Sequence, residues 1–98
     1  MIPGALSTIN NIAAAVTART GATIADIAGR ERRHSDARHI ACYVARKMTR
    51  YSLAQIARFF QQRDHTAVMY AIQKVRLRSR AEPDFAALVD AIEREAAT

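Results

Sequence analysis

The sequence is poor in the residues that build cross-linked or turn-rich proteins. Its 98 residues include one cysteine, two prolines, three glycines and no tryptophan. The single Cys42 cannot form an internal disulfide, and so few prolines and glycines argue against β architectures with many turns. No apolar run reaches membrane-spanning length, and the first residues lack the basic segment of a signal peptide. We therefore expect a cytoplasmic protein, without a membrane partner.

Acidic residues are scarce in the middle of the chain. Between Arg30 and Arg80, thirteen Lys or Arg face three acids, which gives this block a net charge of +10, while the flanks together carry −4. A strongly basic block within a folded domain usually faces a polyanion, most often nucleic acid. A solvated basic face that only keeps the protein soluble is the alternative that charge alone leaves open.

The strong hydrophobic periods are all helical. Apolar residues recur three and four positions apart, which predicts an all-α fold of five or six helices in one domain spanning residues 1–98. The third helix is predicted over Ser35 to Thr49, and the last over about 83–96, where Pro83 suits a first turn. The predicted inward faces are, in chain order, Ile9, Ile12, Ala13 and Val16; Ile24, Ile27 and Ala28; Ala37, Ile40, Ala41, Val44, Ala45 and Met48; Leu53, Ile56, Ala57 and Phe60; Val68, Ala71, Ile72 and Val75; Phe85, Leu88, Val89 and Ile92.

Several polar residues predict where helices begin and end. Gly21 is expected to end the first helix, and Thr23 and Gly29 to bound the short second helix. Ser52 precedes Gln55 by three residues, the spacing of a capping box at the start of the fourth helix. The last helix carries acids on its outer side, Glu93 and Glu95. It is expected either to dock on its own domain or to contact a second copy or a partner.

The fourth and fifth predicted helices are separated by about three residues, Gln61 to Arg63. Two short helices joined by so short a connection, inside the basic block, have the outline of a helix-turn-helix. In that motif the second helix lies in the major groove and presents its N-terminal residues to base edges. The residues at that position here are Asp64, His65 and Thr66, within the segment "RDHTAV".

Four interpretations of "RDHT" are possible: a catalytic cluster, a metal site, a helix start or a DNA-reading surface. Asp64 and His65 are adjacent, so on a helix they point about 100° apart and no nucleophile accompanies them. The histidines, His34, His39 and His65, lack a repeated ligand spacing. We therefore expect no enzyme, catalytic residue or metal site. Asp64 is also expected to be a helix N-cap, which is compatible with base contact.

The segment "ARHIACYVARKMTRYSLAQIARFFQQRDHTAVMYAIQKV" resembles the C-terminal DNA-binding domain of the bacterial replication initiator DnaA. That signature reads approximately "aRqiAmYLarelT.hSL.eIg..FGgRDHTTVlhA..kI". The likeness is close over residues 37–75 and weaker back to about Leu6. "RDHT", with "SL..I" upstream and "A..K" downstream, is far more specific than a general helix-turn-helix pattern.

The resemblance implies an interface with double-stranded DNA. It implies base contacts by Asp64, His65 and Thr66, and apolar contact by Met69, which would suit a thymine methyl. It also implies that one arginine of a basic loop enters the minor groove, a role open to Arg30, Arg32 or Arg33. The implied contacts to the DNA backbone are Arg38, Arg46, Ser52, Gln61, Gln62, Arg63 and Lys74.

The chain departs from the family pattern at the turn and just after it. Gln61 and Gln62 replace the paired glycines, Ala67 replaces the second threonine, and "VRLRSR" after Lys74 is more basic than usual. These changes favour DNA binding with an altered target, hence a transcription regulator associated with the nucleoid. The alternative is a replication-initiation regulator that competes at initiator boxes or binds the initiator's regulatory machinery. Because a single domain on a short site binds weakly, tandem sites, a dimer or a protein partner from either machinery is expected.

A nucleotide-driven motor is not expected from this sequence. It contains no "GxxxxGK[ST]", and Gly4, Gly21 and Gly29 could not build that phosphate-binding loop. We expect no nucleotide or other cofactor.

Overall fold

A computed structural model describes residues 5–29 and 34–97, and in these two ranges the regular structure is entirely α-helical. The all-α prediction is confirmed. The helices are α1 (Ala5–Thr20), α2 (Ile24–Ala28), α3 (Ser35–Met48), α4 (Leu53–Phe59), α5 (His65–Ala81) and α6 (Pro83–Ala96).

The helix boundaries follow the local chemistry that the sequence predicted. α1 ends where Gly21 takes a φ of +79°, a left-handed conformation that glycine adopts without a steric penalty. Ser52 and Gln55 form the expected capping box at α4: the Ser52 N–H donates to Oε1 of Gln55 at 2.9 Å, and the Gln55 N–H donates to Oγ of Ser52 at 3.1 Å. Thr23 and Asp26 form a second capping box at α2. Each box satisfies N–H groups that the first helical turn leaves without partners.

The centre of the fold is α3, which packs against each of the other five helices. Ile40, Ala41, Val44 and Ala45 have no exposed surface. Cys42 is also buried, and burial raises the pKa of its thiol to about 12, so the thiol stays protonated at neutral pH. The core around α3 is one continuous cluster that includes buried side chains from all six helices.

The predicted apolar faces are buried with few exceptions. Ile24 is 64% exposed, so its assignment to the core was wrong, whereas Ile27 in the same helix is buried. The reason is length: α2 has five residues and can direct only one long side chain inward. Met48, Leu53 and Leu88 lie at the edge of the core and are partly buried.

The last helix docks on its own domain, which was one of the two alternatives expected from the sequence. α6 packs mainly against α1 and α5 and buries Phe85, Val89 and Ile92. The sequence suggested that Glu93 and Glu95 form an acidic outer face, but both face cations of other helices. Oε1 of Glu93 forms an ion pair with Nζ of Lys47 in α3 at 2.8 Å. Oε1 of Glu95 lies 3.4 Å from Nη2 of Arg19 in α1.

The turn between α4 and α5 is a Schellman motif closed by Gln61 and Gln62. The Gln62 N–H donates to the Ala57 carbonyl at 2.8 Å and the Gln61 N–H to the Arg58 carbonyl at 3.3 Å. Gln61 has a φ of +51°, the left-handed conformation that usually calls for glycine. The Gln62 side chain adds a hydrogen bond to the Phe60 carbonyl at 2.7 Å. The chain thus keeps the turn without the glycines that would make it unstrained.

Replacing Ile92 by alanine should lower the free energy of unfolding by about 2–5 kcal/mol, because it opens a cavity where α6 meets the core. Urea denaturation measures this value. Leu77→Ala is the control, since Leu77 is 53% exposed on α5 and its truncation should cost under about 0.5 kcal/mol. Equal losses in the two variants would show that α6 is not docked in solution as described.

Replacing Gln61 by glycine should raise the free energy of unfolding by about 0.5 kcal/mol. Relief of the left-handed conformation stabilises the fold by about 1–2 kcal/mol, and the added flexibility of the unfolded chain offsets part of that gain. Gln62→Gly is the matched control, because it brings no such relief and removes a hydrogen bond, so it should destabilise by about 1 kcal/mol. Destabilisation of similar size in both variants would contradict the strain at Gln61.

Candidate nucleic-acid interface

The interface is built around the first turn of α5, which Asp64 caps. Asp64 has extended backbone geometry, and its Oδ1 accepts the N–H of Thr66 at 3.0 Å and of Ala67 at 3.2 Å. The expectation of an N-cap is confirmed. Both bonds end on Oδ1, so Oδ2 accepts no hydrogen bond from the described part of the chain. One carboxylate therefore holds the helix start and keeps an oxygen available to a ligand.

The outward face of α5 carries the residues that the sequence assigned to base contact. His65 and Thr66 are exposed, and Met69 is 51% exposed. Val68, Ala71, Ile72 and Val75 are buried and pin α5 against α3 and α4. Because the core uses only the inward stripe, the outward side chains have no packing role to explain them.

A cleft of about 560 Å³ opens beside the first turn of α5 and joins several of the expected contact residues. It lies between the start of α5, the turn before it and the first turns of α3. Among the expected backbone contacts, Gln61 and Arg63 are exposed and Gln62 is half-buried. The lining residues are Gly29, Arg38, His39, Gln61, Gln62, Arg63, Asp64, Thr66, Ala67 and Tyr70.

The resemblance implied a DNA-backbone contact by Arg38, but the structure buries most of this residue. Only 7% of Arg38 is exposed, and its Nη1 donates to the Asp26 carbonyl at 3.4 Å. The sequence held a signal for this burial, because Arg38 precedes the buried Ala41 by three residues and Ala45 by seven. Arg38 still lines the cleft. A contact between Arg38 and DNA therefore stays a prediction, and it would have to be made inside the cleft.

The sequence analysis considered His39 only as a metal ligand, and it missed its place in this cleft. Its ring lies edge-on to Tyr70, with 5.8 Å between ring centroids. Burial lowers the pKa of His39 below its ordinary value of 6.5, and the charges of Arg38 and Lys74 lower it further, against a raising effect of Asp36. Tyr70, 58% exposed, follows Thr66 by one helical turn, which was the available signal for this neighbourhood.

A second group of the expected contacts lies away from the cleft, near the start of α4. Arg46 is exposed, and its Nη1 donates to the Tyr51 carbonyl at 3.0 Å, next to the cap residue Ser52. Ser52 is exposed as well. Lys74 lies on α5, with Nζ 5.8 Å from the centroid of the Tyr70 ring. Polar and basic groups therefore flank the recognition residues from both helices of the motif.

Three expected contacts, Arg30, Arg32 and Arg33, lie outside the described residues. Within the described ranges, no three His, Cys, Asp or Glu side chains come close enough together to hold a metal ion. No helix in the same ranges has the length and apolar character needed to span a membrane.

The neutral state of His39 should make the fold more stable at neutral than at acidic pH. Since the unfolded chain binds a proton near pH 6.5 and the folded chain only at lower pH, the free energy of unfolding falls as the pH drops through this window. Urea denaturation at pH 7 and pH 5 should show a smaller fall for His39→Gln than for the unaltered protein. The same fall in both proteins would exclude His39 as its source.

The chain matches one protein family over most of its length. The family model described as "Bacterial dnaA protein helix-turn-helix" matches residues 9–75, which runs from α1 through the buried half of α5.

Curated relatives point to the same family. The chromosomal replication initiator protein DnaA of Aquifex aeolicus is 42% identical over 67 residues, covering 68% of this chain and 17% of the relative. The protein of that name from Thermodesulfovibrio yellowstonii is 36% identical over 87 residues, covering 87% of this chain and 20% of the relative. This chain thus spans a fifth or less of the length of these two relatives. It belongs to the bacterial DnaA helix-turn-helix family of DNA-binding domains.

Proposed function

We propose that the protein reads a specific sequence in double-stranded DNA by placing the N-terminal turns of α5 in the major groove. The observation that carries this proposal is the exposure of His65, Thr66 and Met69 on one capped helix start whose opposite stripe is fixed in the core. α4 supports this helix through the Schellman turn, as the first helix of a helix-turn-helix does. Residues 1–98 act as one binding unit, with the motif core at residues 37–75.

Each recognition side chain has chemistry that suits a base edge. The free Oδ2 of Asp64 suits the amino group of a cytosine, and the Thr66 hydroxyl can donate to or accept from several bases. The His65 imidazole can donate to purine acceptors in the major groove. The apolar Met69 suits a thymine methyl. Together these groups can discriminate several neighbouring base pairs.

The backbone contacts hold α5 in register over those bases. Arg46 of α3 and Ser52 at the start of α4 are proposed to contact one strand, and Arg63, Gln61 and Gln62 the strand beside the turn. Lys74 and the cleft-lining Arg38 add positive charge near the recognition turn. Such contacts supply affinity without carrying sequence information. One of Arg30, Arg32 and Arg33 is proposed to enter the minor groove.

We propose that the DNA target is a promoter element and that the protein regulates transcription there. The supporting observations are the differences from the family pattern next to the recognition turn. Ala67 provides no hydroxyl at a half-buried position beside Thr66, and Gln61 and Gln62 add side chains to the turn. These changes alter the groups that face DNA while the helix geometry is kept. In this role the protein is bound to double-stranded DNA in the nucleoid. It acts there together with proteins of the transcription machinery.

A second candidate is a regulator of replication initiation. It is favoured by the unchanged "RDHT" motif and by relatives that are named as chromosomal replication initiators. In this role the protein competes for initiator boxes or binds the initiator's regulatory machinery. Neither candidate requires catalysis, a nucleotide or a metal.

The first experiment is in-vitro selection of bound duplexes from a random pool at about 150 mM salt, near physiological ionic strength. Selected duplexes and the initiator's own box are then compared by fluorescence anisotropy across a salt series. A motif equal to that box supports the replication role, and a different motif supports a separate promoter target. Binding without any sequence preference would reject both DNA-reading roles and favour binding to the initiator's regulatory machinery.

Replacing His65 or Thr66 by alanine should cost about 1–3 kcal/mol at one or two base positions and relax the selected motif there. Replacing Lys74 or Arg46 by alanine should weaken binding to all duplexes and reduce the salt slope by about 0.9. Repeating the selection and the salt series with each variant separates the two effects. An unchanged motif in His65→Ala would contradict the placement of α5 in the groove.

A further inference from the structure

The recognition face of α5 continues beyond the family match. Arg76 follows Met69 by seven residues, which is nearly two full turns, so the two side chains leave the helix in directions about 20° apart. The same spacing places Arg76 about 10 Å further along the helix axis. Arg76 is exposed, and within the described ranges it forms no ion pair. A cation therefore stands on the base-reading stripe where the helix would leave the groove.

Arg76 also lines a second cleft, of about 340 Å³, between α3 and α5. The two faces of this cleft are basic, and among the residues that the structure describes no acidic side chain lines it. Its apolar lining includes Ile72, which lies on the buried stripe of α5. The lining residues are Tyr43, Arg46, Lys47, Ile72 and Arg76.

The three basic side chains that line the cleft, Arg46, Lys47 and Arg76, differ in the hydrogen bonds and ion pairs that they already form. Lys47 is held by Glu93 at 2.8 Å, and this hydrogen bond raises the pKa of its ammonium group. Arg46 gives one N–H to the Tyr51 carbonyl, and a guanidinium has five. Arg46 and Arg76 therefore offer two partly free guanidinium groups across one cleft, and guanidinium pairs with phosphate oxygens in a forked geometry.

We infer that this cleft binds a phosphodiester of the DNA strand that borders the major groove, with Arg76 as a ligand beside Arg46. The inference rests on the proposed function, because it needs α5 in the groove. The major groove is about 12 Å wide, so a helix that contacts bases at Met69 reaches the bordering strand about 10 Å later. The contact extends the backbone interface past the end of the family match at residue 75.

The test is the salt dependence of binding by Arg76→Gln, with the duplex selected by the unaltered protein as the probe. Loss of one phosphate contact should reduce the slope of log affinity against log salt by about 0.9 and raise Kd about fivefold at about 150 mM salt. The selected base motif should not change, since phosphate carries no sequence information. Arg76→Lys should restore most of the slope, because it restores the positive charge.

Arg80→Gln is the matched control, since Arg80 is an exposed arginine of the same helix that does not line the cleft. An equal loss of slope in Arg80→Gln and Arg76→Gln would overturn the inference, since overall charge would then explain both. An unchanged slope in Arg76→Gln, or an altered base motif, would also overturn it while leaving the proposed function intact. If the unaltered protein selects no motif at all, the proposed function and this inference both fail.

Discussion

The structure depends on the burial of one helix. α3 contacts all the others, and four of its side chains have no exposed surface. Since most of its buried side chains are small, with three alanines, a cysteine and a valine, neighbouring helices approach closely and their angles are fixed by packing. α5 reaches its place on this surface through Val68, Ala71 and Ile72. The direction in which the recognition residues face is thus set from inside the core.

The recognition turn is held by short-range bonds that reinforce this packing. Two backbone hydrogen bonds close the end of α4, and two more end on one oxygen of Asp64 at the start of α5. A binding surface that is ordered before it meets DNA loses less conformational entropy on binding. Gln61, whose backbone conformation is strained, lies in this same turn, so the chain keeps this geometry against its local preference.

Much of the fold was predictable because helical spacing and capping residues act locally. The capping box at Ser52, the cap at Asp64 and the inward stripe of α5 were all predicted and confirmed. The errors arose where distant residues decide the outcome. Ile24 is exposed because α2 is too short to bury it, and Arg38 is buried by neighbours from another segment. Helical spacing placed Tyr70 near Thr66, but it could not show that His39 of another helix would share their cleft.

The role of each site residue depends on how the protein and DNA are placed relative to each other, and one protein sequence does not contain that geometry. The sequence could name Asp64, His65 and Thr66 through their resemblance to a family motif, and the fold shows them exposed at a helix start. The sequence showed an unusually basic segment after Lys74, but it could not single out Arg76, since the motif ends before it and the cleft needs two helices to form.

The helix cap that Asp64 forms, together with the base contact proposed for it, constrains how this protein can acquire new targets. A change at position 64 to a residue that cannot accept the N–H groups of Thr66 and Ala67 removes the helix cap, at about 1 kcal/mol. Changes at position 69 do not affect a helix cap, because the exposed Met69 side chain makes no hydrogen bond that the fold needs. The same holds at position 67, where the alanine side chain ends at Cβ. Divergence within the family, or deliberate redesign, should therefore explore positions 67 and 69 while retaining an aspartate, asparagine or serine at position 64.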